Sequence, residues 1–377
     1  MQSLDNNTEA FFALLRAGLW NKVPQKELFD DVNWECLLTL AKEQAVAGVL
    51  TDGINLLPSE VTGKEKALRG WVPTILRIEE QNRLVNRSLK KLTDIIQDRG
   101  INTILLKGQG CASLYPNPLH RVPGDIDLYI GLEQCKRAKE LVLENTEITG
   151  ESSLHFAFMF GDVDVECHKR AMHSDCLWLN RRLQRLTVEN LTFTGEHHFT
   201  CEGKEIAIPE PTFNAFYVFV HFYHHFCKIG TGLRQISDWA LLLKHHEDVI
   251  DWVRLEGYVR SIHAMRAWRT FFAIAQQYLG LKLKEETMKH RLFQKKATEK
   301  DIRFILNDIL TVGNMGKQNV FWKARFNKDK DNYSLGKAYR SQLRRILTLI
   351  PYGTDEMICH TLWYGLYKLH LVKEIED

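Results

Sequence analysis

Two carboxylates stand two positions apart in Asp125-Ile126-Asp127-Leu128-Tyr129-Ile130. Successive side chains of a strand point to opposite faces, so Ile126, Leu128 and Ile130 turn to a core while Asp125 and Asp127 project together. With no basic residue between them the pair repels unless a cation stands in front. A donor set of oxygens alone suits Mg2+ or Mn2+. Further along, Gly161-Asp162-Val163-Asp164-Val165-Glu166-Cys167-His168 repeats the alternation, with Val163, Val165 and Cys167 inward and Asp162, Asp164, Glu166 and His168 outward. A second strand paired beside the first brings a third carboxylate to the same ion. Asp164 and Glu166 share a face, and alternation leaves both as candidates.

Upstream, the apolar run Ile104-Leu105-Leu106 breaks at Lys107-Gly108-Gln109-Gly110 and leads into a segment able to wind into a short helix. Backbone N–H groups exposed where a strand hands over to a helix are a place for phosphate. Glycine accepts positive φ there and lets a ligand approach the backbone. Asp-x-Asp alone is a weak signal, and the chain holds its own controls at Asp162/Asp164 and Asp329/Asp331. Only the pair at Asp125 has both a glycine turn upstream and an acidic strand downstream.

These residues carry a resemblance. Leu105-Leu106-Lys107-Gly108, Leu114-Tyr115-Pro116, Arg121 and Gly124-Asp125-Ile126-Asp127-Leu128, followed by Val165-Glu166-Cys167-His168, resemble the uncharacterised nucleotidyltransferase family of the DNA polymerase β-like superfamily. The similarity covers roughly residues 75 to 245. It implies Asp125 and Asp127 as paired metal ligands, Glu166 as the third by family position, and Gly108 at the nucleotide-phosphate turn, with Lys107, Gln109 and Arg121 as further nucleotide-binding residues. Where the wider superfamily usually has Ser or Gly after that glycine, this chain has Gln109. The implied fold is α+β, a small mixed β-sheet nucleotidyltransferase core flanked by large N- and C-terminal helical regions.

The elements that must position these groups follow from length and periodicity. The 377 residues suffice for two compact domains or one with a large helical elaboration. Residues 1–100 read as an N-terminal helical region, 101–210 as the catalytic core and 211–377 as a C-terminal helical region. In the first, apolar residues recur at three and four over 9–19 and 34–50, and a longer helix spans 73–98 with a solvated charged face. The core reads as a strand (101–106), a short helix, the metal strand, a helix (132–144) and a hairpin of 154–160 and 162–168 turning at Gly161. Residues 206–208 add an edge strand.

From Pro211 the chain turns helical again. His221, His224 and His225 fall at i, i+3 and i+4, close together on a helix surface. Zinc also wants cysteine or further carboxylates at defined spacing, so this helix is expected to pack on the core with histidines, His224 among them, facing the cleft. Arg234 and Asp238, in a stretch resembling the family's helical segment, adjoin either as a structural ion pair or as substrate contacts. Helices are also expected at 262–279, 300–312, 338–349 and 355–374. The basic stretches 282–300 and 323–345 are interleaved with aromatics, but mixed-in acidic residues favour a solvated surface over a nucleic-acid groove.

A net charge of +3 is too mild to demand nucleic acid. Eight scattered cysteines without a Cys-x-x-Cys pair read as the reduced thiols of a cytoplasmic protein. The N-terminus carries an acidic residue where a signal peptide carries basic ones. No stretch approaches the roughly eighteen apolar residues of a membrane span, so no membrane partner is expected.

The expected activity is metal-dependent nucleotidyl transfer. Two divalent cations, Mg2+ or Mn2+, on Asp125, Asp127 and Glu166 would clamp the α-phosphate of a nucleoside triphosphate, activate an acceptor hydroxyl and stabilise departing pyrophosphate. Lys107 or Arg121 would neutralise the triphosphate. His168 bonds the cluster, orients the acceptor, or is a surface histidine at the strand end. The acceptor, whether small molecule, protein or RNA, stays open. Two other readings stand beside this one: a non-catalytic nucleotide- or partner-binding protein that keeps the fold, and an RNA-modifying enzyme resting on the basic C-terminal third.

Overall fold

The computed structural model describes residues 5–314, 347–353, 355 and 357–359. The basic stretch 323–345, Asp329/Asp331 and most of the helices expected at 338–349 and 355–374 lie outside the described residues. Four helices open the chain: α1 (Asn6–Trp20), α2 (Trp34–Glu43), α3 (Ala47–Asn55) and α4 (Lys64–Asp98). Asp5 caps α1 by accepting from the Thr8 amide at 3.0 Å. The stretch 34–50, expected as one helix, is two. Ala45 takes φ +56 between them, and the neighbouring Gln44 side chain turns away to Ile309 O and Leu233 N. Helix α4 starts at Lys64 rather than at residue 73. Pro73 removes one helical hydrogen bond, but burial of Ala67 and Trp71 holds the preceding turns helical.

The core is a mixed five-stranded sheet built from β1 (Ile104–Leu105), β2 (Ile126–Tyr129), β3 (Ile148–Glu151), β4 (His155–Phe160) and β5 (Val163–His168), in the order β1-β2-β5-β4-β3. Helices α5 (Gln109–Ala112) and α6 (Gly131–Leu143) flank β2 in sequence. Only β2 and β5 run parallel; the other neighbours are antiparallel. The β4–β5 hairpin turns at Gly161, whose φ of +62 suits glycine. The sequence reading lacks β3, which shows no apolar alternation and is mostly exposed.

Residues 206–208 do not add an edge to this sheet. After α7 (Leu177–Asn190), β6 (His198–Cys201) and β7 (Lys204–Ala207) pair with each other in a separate two-stranded sheet. Glu202 and Gly203, both at positive φ, form the tight turn that gives β7 a local partner.

The C-terminal region contains α8 (Pro211–Lys228), α9 (Leu233–His245), α10 (Trp252–Ser261), α11 (Met265–Gln277), the short α12 (Glu285–Met288) and α13 (Arg291–Gln294), and α14 (Glu299–Val312). Helix α8 begins with proline, and Glu210 caps it by accepting from the Thr212 and Phe213 amides. It is apolar on nearly all sides, as a helix enclosed by others must be. Phe219 meets Trp268 at 4.8 Å, and Trp268 meets Trp239 at 4.7 Å. One apolar core joins α1 to α3 with α8, α9, α11 and α14. A second lies between α4 and the sheet, where Val85, Leu89 and Leu92 meet Ile126, Leu128, Val163, Val165 and Cys167. The inward residues expected from alternation are all buried, Asp127 and Tyr129 on the other face of β2 are buried as well, and the fold is α+β. No helix among the described residues is long and apolar enough to cross a membrane.

Candidate active site

Parallel pairing of β2 with β5 sets Asp127 directly across from Glu166. Asp125 stands just before β2, and ligand oxygens of Asp125, Asp127 and Glu166 lie within 4.8 Å of one another. Asp164 shares the face with Glu166 but is exposed and lies outside this group. Register therefore separates two carboxylates that alternation left equivalent.

The cluster sits among internal cations. Strand β1 ends at Leu105, so Lys107 reaches the cleft, where its Nζ lies 3.1 Å from Asp127 Oδ2. Burial disfavours the ammonium, but Asp127, Asp125 and Glu166 outweigh it and hold Lys107 above the ordinary lysine value. His168 Nε2 lies 2.9 Å from Asp127 Oδ1 and 3.2 Å from Glu166 Oε2. Against the effect of burial, those bonds push His168 up to about 9. In turn, Lys107 and His168 outweigh burial and hold Asp127 below the ordinary carboxylate value. Asp127 Oδ2 is buried without an aligned hydrogen bond.

The opposite wall comes from α8. Lys107 Nζ is 3.3 Å from His221 Nε2, and His225 Nε2 is 3.2 Å from the same atom. Burial, with Lys107 nearby, pushes His221 well below the usual histidine value and His225 down to about 3. The Lys107 ammonium, which can only donate, gives its hydrogen bond to His221. His224 lines the same cavity.

The glycine turn is formed: Gly108 has φ +64 and ψ −117, and α5 starts at the next residue. A Cβ there would meet Asp125 O at 3.5 Å, so the turn lies against the backbone that leads into β2. Gln109, expected beside the nucleotide, points elsewhere. It is buried, and its amide donates to Asn82 and Asn86 of α4. Asn82 in turn donates to Leu119 O and Arg121 O, both at 2.8 Å. Gln109 thus helps tie the glycine turn and the approach to β2 onto one helix.

Arg234 and Asp238 do not pair with each other. Asp238 accepts from Arg121 Nε and Nη2, both at 2.8 Å, and from Tyr115 Oη at 2.7 Å. Arg121 is 4 % exposed, so its expected place at the cleft mouth becomes a buried ion pair on the cavity wall. Arg234 Nη1 donates to Val122 O at 3.0 Å, while its Nε is buried without a partner.

Lys107, Gly108, Arg121, Asp125, Asp127, Glu166, His168, His224, Arg234 and Asp238 all line one cavity of about 600 Å3; Gln109 and Asp164 do not. The sequence model of an uncharacterised nucleotidyltransferase family matches residues 30–280. The chain belongs to this family. The match extends beyond the motif region to take in α2 to α4 on one side and α8 to α11 on the other. The helices that wall the cavity therefore belong to the nucleotidyltransferase unit, and the family implies a nucleoside triphosphate substrate. No curated protein and no solved structure matches the chain.

Lining residues that escaped the sequence reading include His155, Arg170, His173 and Tyr217. His155 had a signal. Counting back from the two-residue turn at Gly161-Asp162 sets it opposite His168. Arg170 and His173 lie in the irregular stretch after β5, where no periodicity speaks.

Proposed function

We propose that the protein is a metal-dependent nucleotidyltransferase that moves a nucleoside monophosphate from a nucleoside triphosphate to an acceptor hydroxyl. The observation carrying this reading is Asp127 facing Glu166 across paired strands with Asp125 beside them, on the wall of a cavity of about 600 Å3. That volume is within the range of small-molecule sites. The donors fit a hard divalent cation: three carboxylates and no thiolate, with Asp127 Oδ2 buried beside the Lys107 ammonium but making no aligned hydrogen bond.

Asp125, Asp127 and Glu166 would hold Mg2+ or Mn2+, which supplies charge neutralisation at phosphate and a more acidic hydroxyl. Lys107, kept charged beside Asp127, offers a fixed cation to the triphosphate. Gly108 lets the chain turn close to the Asp125 backbone. Arg234, with Nε unpartnered on the cavity wall, is a guanidinium available to an anion. Arg121 instead positions the loop before Asp125 through Asp238. His168 orients Asp127 and Glu166. The acceptor is a small molecule, a protein or an RNA. All eight cysteines are free thiols, which fits a reducing cytoplasm.

A binding-only protein is the second reading, favoured by one observation: Lys107 and His168 already meet the carboxylate charge from within the chain. The test is transfer of an α-phosphate-labelled nucleotide, scanned over the common nucleoside triphosphates with Mg2+ and Mn2+ and a cell extract as acceptor source. Label reaching a product with the wild type, and not with Asp125→Ala/Asp127→Ala, is expected. No transfer with intact nucleotide binding selects the binding-only reading, and absence of both overturns the proposal.

A further inference from the structure

The strand register builds a second donor group on the other side of Glu166. Strands β4 and β5 pair antiparallel, so His155 faces His168 across the ladder and Ala157 faces Glu166. His155, Glu166 and His168 therefore project from one face of the sheet. Their ligand atoms lie within 4.8 Å of one another. The two imidazole rings stand 5.3 Å apart at 55°. Glu166 reaches between them, with Oε1 3.8 Å from His155 Nε2 and Oε2 3.2 Å from His168 Nε2. All three are partly buried and open onto the cavity.

We propose that His155, Glu166 and His168 form a binding site for a borderline transition-metal dication such as Co2+ or Zn2+, distinct from the three-carboxylate group and sharing Glu166 with it. Imidazole is a good ligand for these ions, whereas Mg2+ prefers carboxylate, carbonyl and water oxygens. Two histidines and one carboxylate on a common face leave coordination positions on the cavity side, as sites that admit a ligand require. The hairpin holds the ligands in place through ladder hydrogen bonds rather than through a flexible loop. His168 Nε2 now sits between Asp127 and Glu166. An ion at the site would be held by that nitrogen in its unprotonated form, as binding to imidazole requires.

The test is Co2+ titration of the metal-stripped full-length protein in excess Mg2+, followed by the visible absorption of bound Co2+. The expected result is a saturable Co2+ site that survives Mg2+, survives Asp125→Ala, and weakens about 10- to 100-fold or more in His155→Ala, at least the loss seen when an outer partner of a metal ligand is removed. Unchanged affinity in His155→Ala, complete displacement by Mg2+, or equal loss in Asp125→Ala and His155→Ala overturns the proposal. Pulsed EPR of the wild type loaded with Cu2+, an ion suited to imidazole nitrogen, needs no variant. Imidazole nitrogen coupling is expected, and oxygen-only ligation overturns the site. None of these readouts depends on nucleotide transfer, so the metal site stands or falls separately from the transferase assignment.

Discussion

Glu166 and Asp164 are two residues apart on one strand face, yet one lies opposite Asp127 and the other faces water. That difference sets a residue-scale prediction. Glu166→Gln should weaken Mg2+ binding by at least about 10- to 100-fold, because a ligand contributes no less than the outer partners of a metal site. Asp164→Asn should leave it within about twofold, as exposed substitutions usually do. Isothermal calorimetry of both variants checks this, and equal losses would reverse the assignment. Asp125 and Asp127 were legible because period-two alternation is a local property. Lys107 was legible only as an alternative, since its direction depends on where β1 stops. Gln109 was misread because its partners, Asn82 and Asn86, lie on a helix far upstream in the chain.

At the scale of elements, the approach to β2 is held by helices from the N-terminal region. The turn at Pro118–His120 presents His120 Nδ1 to Asp52 of α3 at 2.7 Å and Nε2 to Glu79 of α4 at 3.1 Å. Packing is close enough that a Cβ on Gly48 would fall 2.0 Å from His120 O. Burial opposes the imidazolium, but hydrogen bonds to Asp52 and Glu79 outweigh it and raise His120 above its ordinary value. The folded-state value thus exceeds the unfolded one. The charge-dependent stabilisation is complete below about pH 6.5 and declines as pH rises through the raised folded value. Urea unfolding of wild type and His120→Asn across that window should show their stability difference shrinking toward alkaline pH; a constant difference would exclude a protonated His120. The charged face of α4 was expected to be solvated, yet Glu79 is engaged in this contact. Periodicity marks a face as polar without revealing what docks on it.

At the scale of the molecule, the site is a seam between the sheet and the C-terminal helices, joined by the buried pair Arg121–Asp238. Arg121 is 4 % and Asp238 5 % exposed, and Tyr115 completes the network. Removing one partner strands the other charge in a poorly solvated place. Asp238→Asn is therefore expected to cost about 3–5 kcal/mol of stability, measurable by urea unfolding. A loss within about 0.5 kcal/mol, the scale of ordinary surface substitutions, would show that the pair does not hold the seam.

Amphipathic periodicity, the strand alternation and the glycine turn are local patterns, and they determined the α+β class, most helices and the identity of the paired carboxylates. Helix breaks at Ala45 and helical continuation through Pro73 depended on contacts with distant residues. So did the choice of Glu166 over Asp164 and the pairing of Asp238 with Arg121 instead of Arg234. Each is a question of which surfaces meet, and strand register and helix docking answer it through burial and hydrogen bonding between residues far apart in the chain.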